Sequence, residues 1–174
     1  MPRIKVKRTS TVTDMTAMCD VAALLLTFFI LTATAKQPEP LAVSTPSSTY
    51  VFKVPAENNA ILTIGQGKVF FEVAGQKVRA RTLQLMGEQY KLTFTPDEIT
   101  RFSVVGSFGV PVSNLKQFIG MSGADRMKPG AQPGIPTDST DNQLNSWVLN
   151  ARKATQELNG AAMRVSIKGD AKEE

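Results

Sequence analysis

Between Met15 and Ala35 the chain reads MTAMCDVAALLLTFFILTATA, 21 residues with a single charge at Asp20. A helix rising 1.5 Å per residue over that stretch is about 31 Å long, close to the roughly 30 Å hydrocarbon core of a bilayer. Thr13 or Asp14 can cap its start, and Pro38 and Pro40 forbid its continuation. Arg3, Lys5, Lys7 and Arg8 precede it against the lone acid Asp14. By the positive-inside rule they place the N-terminus in the cytoplasm and everything beyond Lys36 outside it. A cleaved signal peptide is the rival reading, because Ala33-Thr34-Ala35 fits a small-x-small cleavage pattern. Asp14 and Asp20 count against it, since the region before the apolar core of a signal peptide favours positive charge only.

The polar residues of this segment share a face. At 100° per residue Thr16, Asp20, Thr27 and Thr34 fall within about 40° of one another, while Thr32 points away. A polar stripe on an apolar helix meets protein or water rather than lipid, and the carboxylate on the line argues against a chance grouping of threonines. An unpaired carboxylate is costly in hydrocarbon, and no Lys, Arg or His lies in the segment to neutralise it. Such surroundings favour the protonated form, which suits a group that loads and releases protons. The alternative is a structural aspartate bonded to a neighbouring helix. Both require a partner, because one helix cannot shelter an acid. Cys19, in the same segment, reads as a small hydrophobe.

The net charge of +5 suggests nucleic acid until its distribution is followed. Outside the first fourteen residues the chain carries 16 basic and 14 acidic side chains, without the clustering that phosphate neutralisation needs. With no histidine and one cysteine, the chain can build neither a disulfide framework, a Cys/His zinc site nor a histidine-based triad by itself.

Residues 36–59 are rich in Pro, Ser and Thr and predict an extended linker; the rest, 60–174, predicts a small α+β domain. Ala60–Ile64, the turn Gly65-Gln66-Gly67-Lys68 and Val69–Val73 predict a hairpin, which Gln76–Arg79 would extend. Leu83–Tyr90 is weakly helical, Lys91–Thr95 alternates as a strand, and Pro96-Asp97-Glu98 opens a helix. Val110–Met121 predicts a short amphipathic helix with Leu115, Phe118 and Ile119 on one side. Gly123–Asp141 reads as a loop, Asn142–Leu158 as a helix with Leu144, Trp147, Val148 and Ala151 facing the core, and Ala162–Lys168 as a strand. Asp97 and Glu98 are better explained as first-turn helix acids than as catalytic groups, and no nucleophile–base pair stands out, so an enzyme is not predicted.

Asp14-Met15-Thr16-Ala17-Met18-Cys19-Asp20-Val21, followed by Leu24-Leu25-Leu26-Thr27-Phe28-Phe29-Ile30-Leu31-Thr32, closely resembles the N-terminal signature of the ExbD/TolR family. That signature is Asn/Asp-x-Thr-Pro-x-x-Asp running into Leu-Leu-x-x-Phe; Ala17 stands where the proline is usual. The resemblance covers about residues 1–48 and maps the family's intramembrane aspartate onto Asp20. It implies a single-pass inner-membrane protein: a cytoplasmic tail over 1–14, a transmembrane helix over 15–35, a linker over 36–59 and a periplasmic domain from 60.

The resemblance also implies that two such helices, a homodimer, sit inside an ExbB-like pentamer. Asp20 would then carry the proton, with Thr16, Thr27 and Thr34 facing the pore, and the motion would pass to a TonB-like protein that works outer-membrane transporters. The only cofactor implied is the transported proton, with no metal. Leu41, Ala42, Val43, Ser44, Thr45 and Pro46 resemble the family's short recruitment motif, with an ordinary solvated linker as the equal alternative. Family domains usually run strand, strand, helix, strand, helix, strand. Against that pattern about 81–141 look inserted, and the end at Glu174 suggests an incomplete C-terminus. Two other functions remain open: a TolR-like peptidoglycan-associated subunit of the Tol system, and a secreted periplasmic binding module.

Overall fold

The computed structural model describes residues 15–33, 40–41, 43–45, 55, 57–128 and 130–171. The chain divides into two compact units, Met1–Lys36 and Gln37–Glu174. The first unit holds α1 (Met15–Thr32), an 18-residue apolar helix with no buried residue. By length and composition it can cross a membrane, spanning about 27 Å. Its last turn closes with the Ala33 N–H on the Phe29 carbonyl at 2.9 Å, and the Thr32 hydroxyl donates to the Phe28 carbonyl at 2.8 Å. The helix thus ends at Thr32; Thr34 and Ala35 lie outside the described residues, as does the tail 1–14.

In the second unit β1 (Asn59–Gly65) and β2 (Lys68–Val73) form the predicted hairpin, paired antiparallel from Ala60↔Val73 to Gly65↔Lys68. Its two turn residues, Gln66 and Gly67, have φ of 55° and 65°. Positive φ at both positions is the signature of the turn whose twist matches paired strands. The short β3 (Ser107–Phe108) adds antiparallel to β2, and β4 (Arg164–Gly169) adds parallel to β1, giving the order β3-β2-β1-β4.

Gln76–Arg79 does not extend this sheet. Gly75, at φ 91°, breaks the strand direction, and α2 (Gln76–Tyr90) begins at once. Its buried residues Val78, Thr82, Leu83 and Met86 recur at helical spacing, so burial on a helical stripe overrides the local alternation. Lys91–Thr95 is likewise no strand: Lys91 takes the left-handed cap of α2, and the Leu92 N–H closes on the Gly87 carbonyl at 2.8 Å. Leu92 and Phe94 pack against the core, which is what their alternation records.

Thr95 caps α3 (Pro96–Ser103) through a capping box, accepting from the Glu98 N–H while Glu98 accepts from the Thr95 N–H. The amphipathic helix predicted from Val110 starts later. Pro111 is extended, at ψ 152°, and only after the turn Val112–Asn114 does α4 (Leu115–Gly120) form, with Leu115, Phe118 and Ile119 buried as expected. The loop that follows contains one helical turn, α5 (Gly123–Arg126). The last helix, α6 (Gln143–Asn159), is capped by Asn142, whose side chain accepts from the Asn145 N–H at 3.0 Å, and ends on Gly160 in the left-handed region.

One aromatic cluster joins these layers. The Phe108 ring lies 4.8 Å from Trp147 of α6, 5.1 Å from Phe102 of α3 and 6.2 Å from Phe71 of β2. Residues 81–141 therefore supply central core side chains, among them Phe102, Phe108, Leu115 and Ile119. Buried glutamines hold the segment after β3: Gln132 accepts from the Gly109 N–H and Gln143 from the Val112 N–H, both at 2.8 Å. A Cβ on Gly109 would fall 2.6 Å from the Phe70 ring, so only glycine fits there.

Two stability changes follow. Phe108→Ala removes a ring contacted from three elements and is expected to cost about 3–5 kcal/mol in urea unfolding. Gln66→Gly relieves a left-handed side chain at the exposed turn and should instead stabilise, by about 0.5–1 kcal/mol.

Candidate functional site

The strongest candidate from the sequence is the carboxylate of Asp20, in the second turn of α1. It is exposed and has no hydrogen-bond or ion-pair partner among the described residues. Helical spacing puts Thr16 and Thr27 on its line, but they are not equivalent to it. The Thr27 hydroxyl donates to the Leu24 carbonyl at 2.9 Å, so it spends its proton on its own helix. Asp20 is thus the one carboxylate of α1, and Thr27 and Thr32 both bond to carbonyls of their own helix. Thr34, the fourth residue of the stripe, lies outside the described residues.

The second candidate is the segment from Leu41 to Pro46, of which Ala42 and Pro46 lie outside the described residues. Where it is described, it is docked on the domain. Leu41 is 7% exposed and, with Val43, packs beside Gly65: a Cβ there would meet Leu41 Cδ2 at 3.1 Å and Val43 Cγ2 at 3.5 Å. The Ser44 carbonyl accepts from the Ala171 N–H at 2.8 Å, just past β4. Leu41 and Pro40 close a cavity of about 60 Å³ over Ile61, Thr63, Phe70 and Glu72, side chains on the sheet face opposite the aromatic cluster. Sequence reasoning misses this contact, because one leucine within a Pro/Ser/Thr-rich stretch carries no periodic signal.

A third feature was not singled out by the sequence. Val104, Val105, Gly106, Ser107, Phe118 and Arg126 contribute to the lining of a cleft of about 450 Å³ between the end of α3, β3 and α5. The Arg126 guanidinium donates from Nε to the Phe118 carbonyl at 3.1 Å and from Nη2 to the Ile119 carbonyl at 2.8 Å, and stacks 5.2 Å from the Phe118 ring. Burial, and then the positive charge of Arg101, hold it below the usual guanidinium range. Arg81 of α2 is raised above it, chiefly by its 2.8 Å hydrogen bond to Glu157. Among the described residues no three His, Cys, Asp or Glu side chains gather where they could hold a metal ion.

Leu41 should act as the pin of its segment. Burying a leucine contributes about 2 kcal/mol, so Leu41→Asp is expected to free residues 41–44. Hydrogen exchange at the Ala171 amide, bonded to Ser44, should then quicken at least about tenfold while core amides of β1 keep their protection.

The family model described as Biopolymer transport protein ExbD/TolR matches residues 7–124. No curated protein and no solved structure matches the chain.

Proposed function

Because this chain belongs to the ExbD/TolR family, we propose that it is the proton-carrying subunit of an inner-membrane complex that drives transport across the outer membrane. The family places it generally among membrane-associated subunits of biopolymer transport; the finer assignment rests on Asp20. A carboxylate with no partner among the described residues, on an apolar helix of membrane-spanning length, calls for surroundings that other chains can provide. An ExbB-like pentamer around a pair of these helices meets that need: it shields Asp20 from lipid and opens it to water on alternate sides. Protonation removes the charge and lets the helix sit against apolar walls; release restores the charge and draws it toward a polar path. The four basic residues before α1 favour a cytoplasmic N-terminus, with the domain in the periplasm. The segment Leu41–Pro46, between helix and sheet, is the part of this reading that meets a TonB-like protein.

Asp20→Asn separates a proton carrier from a structural acid. Asparagine keeps the volume and most of the hydrogen bonding, so the variant should co-purify with the pentamer as the wild type does. It cannot cycle a proton, so growth on a nutrient taken up through TonB-dependent transport should be lost. Normal growth, with the variant present in the membrane, overturns the assignment.

The same reading requires α1 to be kept. Intact-mass measurement of protein extracted from membranes should show no cleavage after Ala35. A mature species starting at Lys36 would mean a secreted module instead.

A further inference from the structure

The sheet ends in an open edge. β4 is the outermost strand of the order β3-β2-β1-β4, and no strand among the described residues pairs with its far side. On its near side the Arg164 and Asp170 N–H groups donate to the Asn58 and Ile64 carbonyls at 2.8 and 3.0 Å. Alternate residues of a strand direct their backbone groups to opposite sides, so Val165, Ile167 and Gly169 present N–H and C=O to the open edge. Ala171, next in that series, gives its N–H to the Ser44 carbonyl at 2.8 Å, which closes the edge at that end. The side chains are open too. Val165 is 39% and Ile167 70% exposed, although Ala60 and Leu62, their partners in β1, lie in or against the core. No proline interrupts the strand, and such an edge is a template for another strand.

The strand that this edge matches is β4 itself, set antiparallel. With Ile167 of two copies opposite each other, Val165 falls opposite Gly169, and each of these outward-facing residues can exchange its N–H and C=O with the other copy. In this register Arg164 lies across from Asp170 of the second copy and Ser166 across from Lys168, so unlike charges meet at both ends of the ladder. The neighbouring registers fail. One sets Lys168 against Lys168 and calls on the Ala171 N–H, which Ser44 already holds. The other sets Arg164 against Lys168. Like charges directly opposite destabilise a strand pair and opposite charges stabilise it, so charge selects the first register. That register also places the most exposed apolar residue of the strand, Ile167, against its own counterpart, where each covers the other.

We propose that β4 is a self-docking edge: β4 of a second copy pairs antiparallel with it about a twofold axis at Ile167, joining the two four-stranded sheets into one. Six residues of ladder bury too little surface to hold two free domains together in dilute solution. The pairing therefore rests on the reading of α1 as a membrane anchor, which confines both copies to one plane and raises their effective concentration.

The test uses the full chain in membranes of cells that express it, with Cys19→Ala removing the native thiol. Cα atoms of residues that exchange backbone bonds lie about 5.5 Å apart, within disulfide reach, so Ile167→Cys should form a disulfide dimer on mild oxidation. Its rate should exceed at least about tenfold that of Val104→Cys, an exposed position leading into the strand at the other edge of the sheet. Arg164→Asp should slow the Ile167→Cys cross-link about fivefold, and adding Asp170→Arg should restore it. Unchanged hydrogen-exchange protection of β1 checks that each variant is folded. A rate no faster than that of Val104→Cys overturns the proposal, as does a disulfide to another protein in place of the dimer. Indifference to Arg164→Asp, or no restoration by Asp170→Arg, overturns it as well. Asp20→Asn in the same background should cross-link at the unchanged rate, and intact mass reports the anchor, so failure of either earlier assignment is read separately from failure of this one.

Discussion

Phe108 sits where a two-residue strand meets three other rings, and the order of the domain depends on that meeting. β3 is too short to hold itself on the sheet by its ladder alone. Its place is fixed because Phe108 packs edge-on to Trp147, Phe102 and Phe71, which belong to α6, α3 and β2. Edge-to-face rings add to the area they bury, so this arrangement is preferred over other packings of the same side chains. With Phe108 in place, the backbone after it must cross the sheet end close to Phe70, which only Gly109 allows, and Gln132 and Gln143 then hold the crossing segment. The cleft beside Arg126 is a by-product of the same geometry, bounded on one side by the residues that lead into β3.

What could be seen in the sequence follows the range over which each signal acts. The hairpin is legible because both its causes, a glycine-bearing turn and β-rich flanks, lie within fifteen residues. The helix of Trp147 is legible because its cap, its period and its terminal glycine are all local. The first turn of α2 is not, since Gln76-Lys77-Val78-Arg79 spans too few residues to distinguish a period of two from one of 3.6. Val78 shows its helical partners only when Thr82 and Met86 are counted with it. Lys91–Thr95 misleads for a related reason: two apolar residues pack on the end of a helix and imitate a strand. Residues 81–141 look additional against the family pattern, yet their aromatic residues complete the core, a relation that only spatial contact reveals.

The candidate sites divide in the same way. Asp20 stands out because a charge in an apolar run is conspicuous and helical geometry lines it up with its threonines. Arg126 does not, because its partners are the carbonyl groups of Phe118 and Ile119 and the face of an aromatic ring, none of which has a sequence signature. Arg101, whose charge acts on it, lies in another helix, α3, well apart in the sequence. The docking of Leu41 also depends on a distant residue, since it is the missing side chain at Gly65 that lets the segment approach β1.

The position of β1 has a mechanical consequence. It is a central strand, bonded antiparallel to β2 on one side and parallel to β4 on the other, and the chain arriving from the linker enters it at Asn59. A pull directed along the strand from that end loads both ladders in shear, so their bonds resist together instead of opening one at a time. Ahead of that point, among the described residues, the same tension meets the bonds of Asn58 to Arg164 and Asn159 and, farther out, the clip between Ser44 and Ala171 and the seat of Leu41. The domain therefore has two thresholds of force in series: a weak one that peels away residues 41–44 and a much stronger one that guards the sheet, so a modest tug can lengthen the tether while the fold stays whole.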